Sequence, residues 1–134
     1  MRRSVRACLG AALATAMMAV AAGSAAAQDG NAEEGAEVFK KCRACHDVGP
    51  EAKNKVGPVL NGIIGRKAGT IEGFAYSDAN KDAGGKGLVW TEDVIFKYLE
   101  NPLVFMPKTK MAFAGLKDPQ DRKDLIAYLK KFSK

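Results

Sequence analysis

Behind a basic start at Arg2, Arg3 and Arg6, the chain runs apolar from Ala7 to Ala27. Past that run, apolar positions recur with helical spacing in three places. Asn31 with Glu34 three residues on forms a capping-box pattern, and Gly35, Phe39 and Cys42 follow at i, i+4 and i+7. Thr91 is placed to cap a second helix, with Glu92 and Asp93 on its N-terminal dipole. Val94, Ile95, Tyr98 and Leu99 supply its apolar face, and Asn101-Pro102 ends it. Asp118 followed by Pro119 opens a third helix, lined on one side by Leu125, Tyr128, Leu129 and Phe132.

Gly-rich stretches separate these helices: "VGPVLNGIIGRKAGT" and "DANKDAGGKG". Only "LNGII" suggests a short helical turn, and no period-2 alternation marks a strand. The pattern predicts a mostly α domain with long loops. Loops of that length need something to organise them, and three helices alone make a thin core. A large apolar cofactor would supply what the side chains lack.

Composition changes the picture first at the N-terminus. A basic start, an apolar run and Ala25-Ala26-Ala27 follow the order of a secretory signal peptide over residues 1–27, leaving 28–134 as one domain. The run approaches spanning length, but it is mostly Ala, Gly, Ser and Thr, so cleavage is expected and stable membrane insertion is not. Cys8 lies at the start of the apolar run instead of after it, which argues against a lipoprotein anchor. Cleavage would remove Arg2, Arg3 and Arg6 and no acid, lowering the formal charge of +6 by three. Export to the periplasm would place Cys42 and Cys45 in an oxidising compartment, where thiols are bridged, metal-bound or covalently used.

Those two cysteines lie in "KKCRACHDVGP", beside His46, the only histidine of the chain. C-x-x-C-H is the attachment signature of c-type haem. Positions i, i+3 and i+4 of a helical turn share one face. Cys42 and Cys45 can therefore both add to the vinyl groups of one porphyrin while His46 offers a nitrogen to its iron. A tetrahedral zinc site would need four ligands, and residues 28–134 hold two Cys and one His. A thioredoxin-like pair is expected near a βαβ pattern, which is missing here. A bare Cys42–Cys45 disulfide would leave the adjacent histidine unexplained. A sixth iron ligand, if present, must then be something other than histidine. Met106 and Met111 are the only methionines after the leader. Thioether ligation raises a haem potential, though either methionine could equally fill a core gap.

From Gly35 to its end the chain resembles the class I c-type cytochromes, close to mitochondrial cytochrome c and bacterial cytochrome c2. The likeness rests on "GAEVFKKCRACH", "VGPVLNGIIGRKAG", "GFAYSDANK", Trp90, "YLENP", "PKTKMAFAG" and "LIAYLK". It implies an all-α fold, with three main helices, short helical turns and long loops wrapped around one covalently bound haem. Within "PKTKMAFAG" it implies Met111 as the axial ligand opposite His46, with Met106 left to packing. It further implies that Pro58 offers its carbonyl to the far nitrogen of His46, a usual duty of residues behind a metal ligand. Arg66, Tyr76, Trp90 and Thr109 resemble the family's donors to the haem propionates, with Asn80 in the same polar network. Tyr98 would hydrogen-bond near the Met111 sulfur. Gly35 and Phe39 would meet Leu125 and Tyr128 where the first and last helices cross. The stretch "DANKDAGGKGLVW" runs a few residues longer than the mitochondrial pattern.

Charge distribution adds a partner. Lys40 and Lys41 flank the cysteines with no acid from Val38 to His46, and Lys108, Lys110 and Lys117 flank Met111 with none from Pro102 to Lys117. Lys55 lies on the intervening loop. Basic patches steer fast, weak encounters with acidic faces. The expectation is a monomeric periplasmic electron carrier, not an enzyme. It would take electrons from a membrane cytochrome bc complex or similar donor and deliver them to an oxidase or photosynthetic reaction centre. Nucleic acid would suit such a patch, but export argues against it. A haem enzyme or gas-binding sensor is the alternative, and it needs a vacant or labile iron position.

Overall fold

The computed structural model describes residues 29–134; the leader, Cys8 and the expected cleavage point before Gln28 lie outside the described residues. Five helices follow in order: α1 (Ala32–Phe39), α2 (Asp78–Gly85), α3 (Glu92–Glu100), α4 (Pro102–Phe105) and α5 (Pro119–Lys130). The only strand pairing among the described residues is an isolated bridge between Lys67 and Val89. The all-α expectation holds.

Asn31 starts α1 by accepting from the Glu33 and Glu34 backbone N–H groups at 2.8 and 3.3 Å. The predicted capping box is only half made. The Asn31 N–H donates to the buried Asp124 carboxylate at 2.7 Å, so the cap also ties α1 to α5, 93 positions away. Gly35 faces the α5 backbone there, and Phe39 meets Tyr128 with ring centroids 5.4 Å apart. Phe39 and Leu125 are among the most deeply buried side chains. Burial of that kind contributes about 1.5–3 kcal/mol per side chain, which makes this crossing the strongest part of the core.

Thr91 caps α3 as predicted, accepting from Val94 N–H at 3.2 Å, and Ile95, Tyr98 and Leu99 are buried. Asn101 both stops α3 and caps α4, whose N1 residue is Pro102. The predicted stop is thus a stop and a restart. "LNGII" forms turns, with Ile63 N–H donating to Leu60 O at 3.1 Å.

The Gly-rich "DANKDAGG", expected as loop, is α2, capped by Ser77. Its one buried residue is Gly84, where a β-carbon would run into the Ala68 carbonyl. The helix is held by backbone approach instead of by an apolar stripe. Arg122 was equally unexpected in the core. It donates to Leu116 O at 2.6 Å and lies 4.5 Å from the Phe96 ring, so carbonyls and a π face take the place of a carboxylate.

Candidate haem site

Hydrogen-bonded turns carry the chain from α1 into the Cys/His cluster. Cys42 N–H donates to Phe39 O at 2.8 Å, and Cys45 and His46 N–H both donate to Cys42 O, at 3.0 and 2.9 Å. One turn therefore holds all three side chains, as their spacing predicts. Both cysteines are free thiols, Cys42 half-buried and Cys45 exposed. Burial pushes the Cys42 thiol up to about 11, with the Lys41 charge opposing in part. Reactive cysteines commonly show the opposite shift. Among the described residues no three His, Cys, Asp or Glu side chains gather as a metal-ion site.

His46 is half-buried, and its Nδ1 lies 2.7 Å from the Pro58 carbonyl. A carbonyl only accepts, so Nδ1 carries the proton and Nε2 keeps a free lone pair. Burial lowers the pKa of His46 below its usual value; the Pro58 bond opposes this, and the Arg66 and Lys55 charges add to it. At neutral pH the ring is therefore uncharged and able to ligate. Gly57 supports its position. A β-carbon there would collide with ring Cε1 and stand 2.7 Å from each ring nitrogen. Gly57 N–H also donates to Cys45 O at 2.8 Å, which locks the loop onto the cluster.

The two methionines separate cleanly. Met106 is 5% exposed and packs in the core. Met111 is half-buried, and its Sδ accepts from the Tyr98 hydroxyl at 3.4 Å. The Tyr98 ring packs tilted against Trp90 with centroids 4.8 Å apart and meets Phe105 edge-on at 5.5 Å. Burial raises the Tyr98 pKa, with a hydrogen bond to Thr109 opposing, so the hydroxyl stays a donor. Thr109 Oγ1 also accepts from the Met111 N–H at 3.3 Å.

The remaining expected pocket residues make separate local hydrogen bonds or none. The Trp90 backbone N–H donates to Arg66 O at 2.8 Å, and the Arg66 Nη1 donates to Val59 O and Asn61 O at 3.0 and 3.2 Å. Tyr76 Oη accepts from Ile71 N–H at 3.2 Å, so its own proton remains to be donated. Asn80 Oδ1 is buried without a partner. The two ends of an amide are interchangeable by rotation, so the same position can present N–H donors to a carboxylate.

These features fit a haem. Two free thiols share one turn, an imidazole has an open Nε2, and a thioether keeps one lone pair beyond its bond to Tyr98. An orphaned amide and an unspent phenol proton suit buried propionates, which would be costly without donors.

The lysines differ among themselves. Lys40 pairs with Glu37 at 2.5 Å and Lys41 with Asp121 at 3.3 Å, both on the surface. Such pairs are worth about 0–1 kcal/mol and yield readily to a partner. Among the described residues no carboxylate lies within ion-pair distance of Lys55, Lys108, Lys110 or Lys117. Lys55, Lys110 and Lys117 instead reach the carbonyls of Arg43, Ala75 and Glu100. Lys108 turns the chain ahead of Met111 with a left-handed φ of 66°.

Sequence reasoning missed Gly57, although its place before Pro58 in "VGP" was a signal. It also missed Phe105, which reads in the sequence as one more apolar residue.

Fold and site define the class: a small helical c-type haem protein. The family model for cytochrome c matches residues 32–133. Cytochrome c2 of Blastochloris viridis is 56% identical over 117 residues, covering 87% of this chain and 88% of that protein. Cytochrome c of Gibberella zeae is 52% identical over 106 residues, covering 78% and 97%. The solved structure of cytochrome c2 from Rhodospirillum centenum superposes with a TM-score of 0.75 at 50% identity, covering 78% of this chain and all of that one. The chain belongs to the cytochrome c family. Its cofactor is one covalently attached haem c, and it is an electron-carrying haem protein.

Proposed function

We propose that this protein is a soluble, monomeric periplasmic carrier of single electrons. Its donor is a membrane cytochrome bc complex or a similar quinol-oxidising assembly, and its acceptor is an oxidase or a photosynthetic reaction centre. The haem, when bound, supplies a ferrous/ferric couple. The chain's residues do the rest. Cys42 and Cys45 tether the cofactor, and His46 and Met111 ligate its iron. Pro58 holds the imidazole through its carbonyl, and Gly57 leaves the room the ring occupies. Arg66, Tyr76, Asn80, Trp90 and Thr109 hold the propionates, and the unpaired lysines steer acidic partners. The relatives named cytochrome c2 support this reading.

The Tyr98–Met111 hydrogen bond carries the distinction from a haem enzyme or gas sensor. It orients the thioether and takes one of its lone pairs, so the sulfur presents the other in one direction only. A thioether oriented in that way would favour a retained sixth ligand over an open iron position. The ferrous protein is therefore expected to bind no carbon monoxide at neutral pH, and the ferric protein to show an iron–sulfur charge-transfer band. Ready carbon monoxide binding together with absence of that band would move the protein to the enzyme or sensor class.

Residues 1–27 are proposed as the leader removed on export. The mass of the secreted protein checks this, with Gln28 expected as its first residue; an intact Met1 would indicate a tethered carrier.

A further inference from the structure

Three consecutive apolar side chains on α4 stand in solvent: Leu103 is 50% exposed, Val104 73% and Phe105 37%. The turn is built to hold them there. Asn101 caps it, Pro102 is buried beneath it, and Met106 returns to the core. Single exposed apolar residues are ordinary, but an adjacent group of large ones marks a contact surface.

The group is rimmed by cations. Val104 and Phe105 share a shallow hollow of about 350 Å³ with Lys97, Lys117 and one acid, Glu100. Phe105 also walls a groove of about 930 Å³ that carries Lys108 and Lys110, with Asp78 and Asp82 on its α2 side. Inwardly, the Phe105 ring meets Tyr98, whose hydroxyl is bonded to the Met111 sulfur. One aromatic ring thus separates the exposed surface from the group that holds the thioether.

We infer that the α4 ridge is the apolar centre of the face on which the membrane redox partner docks. The occupant is a partner surface with an exposed apolar side chain inside a rim of carboxylates. The inference rests on the carrier reading above and adds the partner's chemistry to it. Apolar contact at the centre expels water, while the rim carboxylates meet Lys97, Lys108, Lys110 and Lys117. An anionic membrane would also attract lysines around an apolar tip. Yet three side chains on a single turn offer far less than the apolar face of a membrane-binding helix. The contact from Phe105 through Tyr98 to Met111 also sets the ridge one ring away from the group that holds the thioether, a place suited to an occupant that exchanges electrons.

The test is steady-state electron transfer with membranes depleted of periplasmic protein, the haem-loaded protein being added back across a range of ionic strength. Leu103→Ser with Val104→Ser is expected to raise KM about tenfold at every salt concentration, because apolar contact is not screened. The slope of rate against salt should stay that of the wild type, whereas Lys108→Glu with Lys110→Glu should change the slope. Val104→Ser alone, at a side chain largely in water, guards against a folding artefact and should raise KM about threefold. A double-variant KM within about twofold of wild type overturns the inference and leaves the carrier reading intact. So does a loss confined to low salt, which would assign docking to charge alone. Weaker binding to vesicles of phosphatidylglycerol and phosphatidylcholine with unaltered transfer would make the ridge a lipid contact and overturn it too. If the wild-type protein itself restores no transfer, the carrier reading falls and takes the inference with it.

Discussion

Met111→Ala is expected to leave the haem covalently attached and to open its iron to carbon monoxide and other small ligands. The reduction potential should fall. Soft thioether sulfur favours the ferrous state, and axial ligands move haem potentials over roughly 0.8 V, so the loss of one is worth on the order of 0.1 V. Folding should suffer less than function, because Met111 is only half-buried and its removal costs chiefly the partner of the Tyr98 hydroxyl. An unpaired buried donor costs about 1–3 kcal/mol, and Thr109 stands close enough to reduce that. Met106→Ala makes the contrast. That side chain is enclosed in the core, so the expected result is an unchanged spectrum with about 2–5 kcal/mol lost from stability. Titration with carbon monoxide, followed in the visible spectrum beside a redox titration, separates the two. A Met111→Ala protein with the wild-type spectrum would transfer ligation to Met106.

Most of this site could be read from the chain because its chemistry is local or carried by a motif. Cys42, Cys45 and His46 sit on one turn by spacing alone. The Pro58 and Tyr98 contacts followed from the family likeness and appear as hydrogen bonds of 2.7 and 3.4 Å. What escaped has a common physical cause. Helix α2 carries two adjacent glycines and no apolar stripe, so nothing in its periodicity announces it; the cap at Ser77 and the close approach at Gly84 hold it instead. Arg122 and Asp124 look like surface charges until the fold supplies partners far along the chain or outside any pattern. Leu103, Val104 and Phe105 failed in the opposite sense. Their hydrophobicity suggests burial, but the restart at Asn101 turns them outward.

Gly35→Ala is expected to damage the fold out of proportion to one methyl group. A β-carbon at Gly35 would collide with the Asp124 carbonyl oxygen and stand 2.8 Å from Cβ of Tyr128. The obstacle is mostly α5 backbone, which cannot swing aside as a side chain does. Overpacking of a core commonly costs about 1–3 kcal/mol. Here, pushing α5 away also pulls Asp124 from the Asn31 N–H, and a hydrogen bond to a charged group contributes about 1.5–3 kcal/mol. The two together approach about 4 kcal/mol, a large share of the 5–15 kcal/mol typical of a whole domain. For a domain of this size, that corresponds to a Tm lower by roughly 15–30 °C. Gly85→Ala is the control, since no atom lies within 4 Å of the β-carbon it would add. Removing a glycine's freedom from the unfolded chain there should be neutral or stabilise by up to about 1 kcal/mol. Thermal melts of the two oxidised proteins measure the difference. Equal midpoints would mean that α5 gives way at little cost, and that the crossing of α1 on α5 is not what holds this fold together.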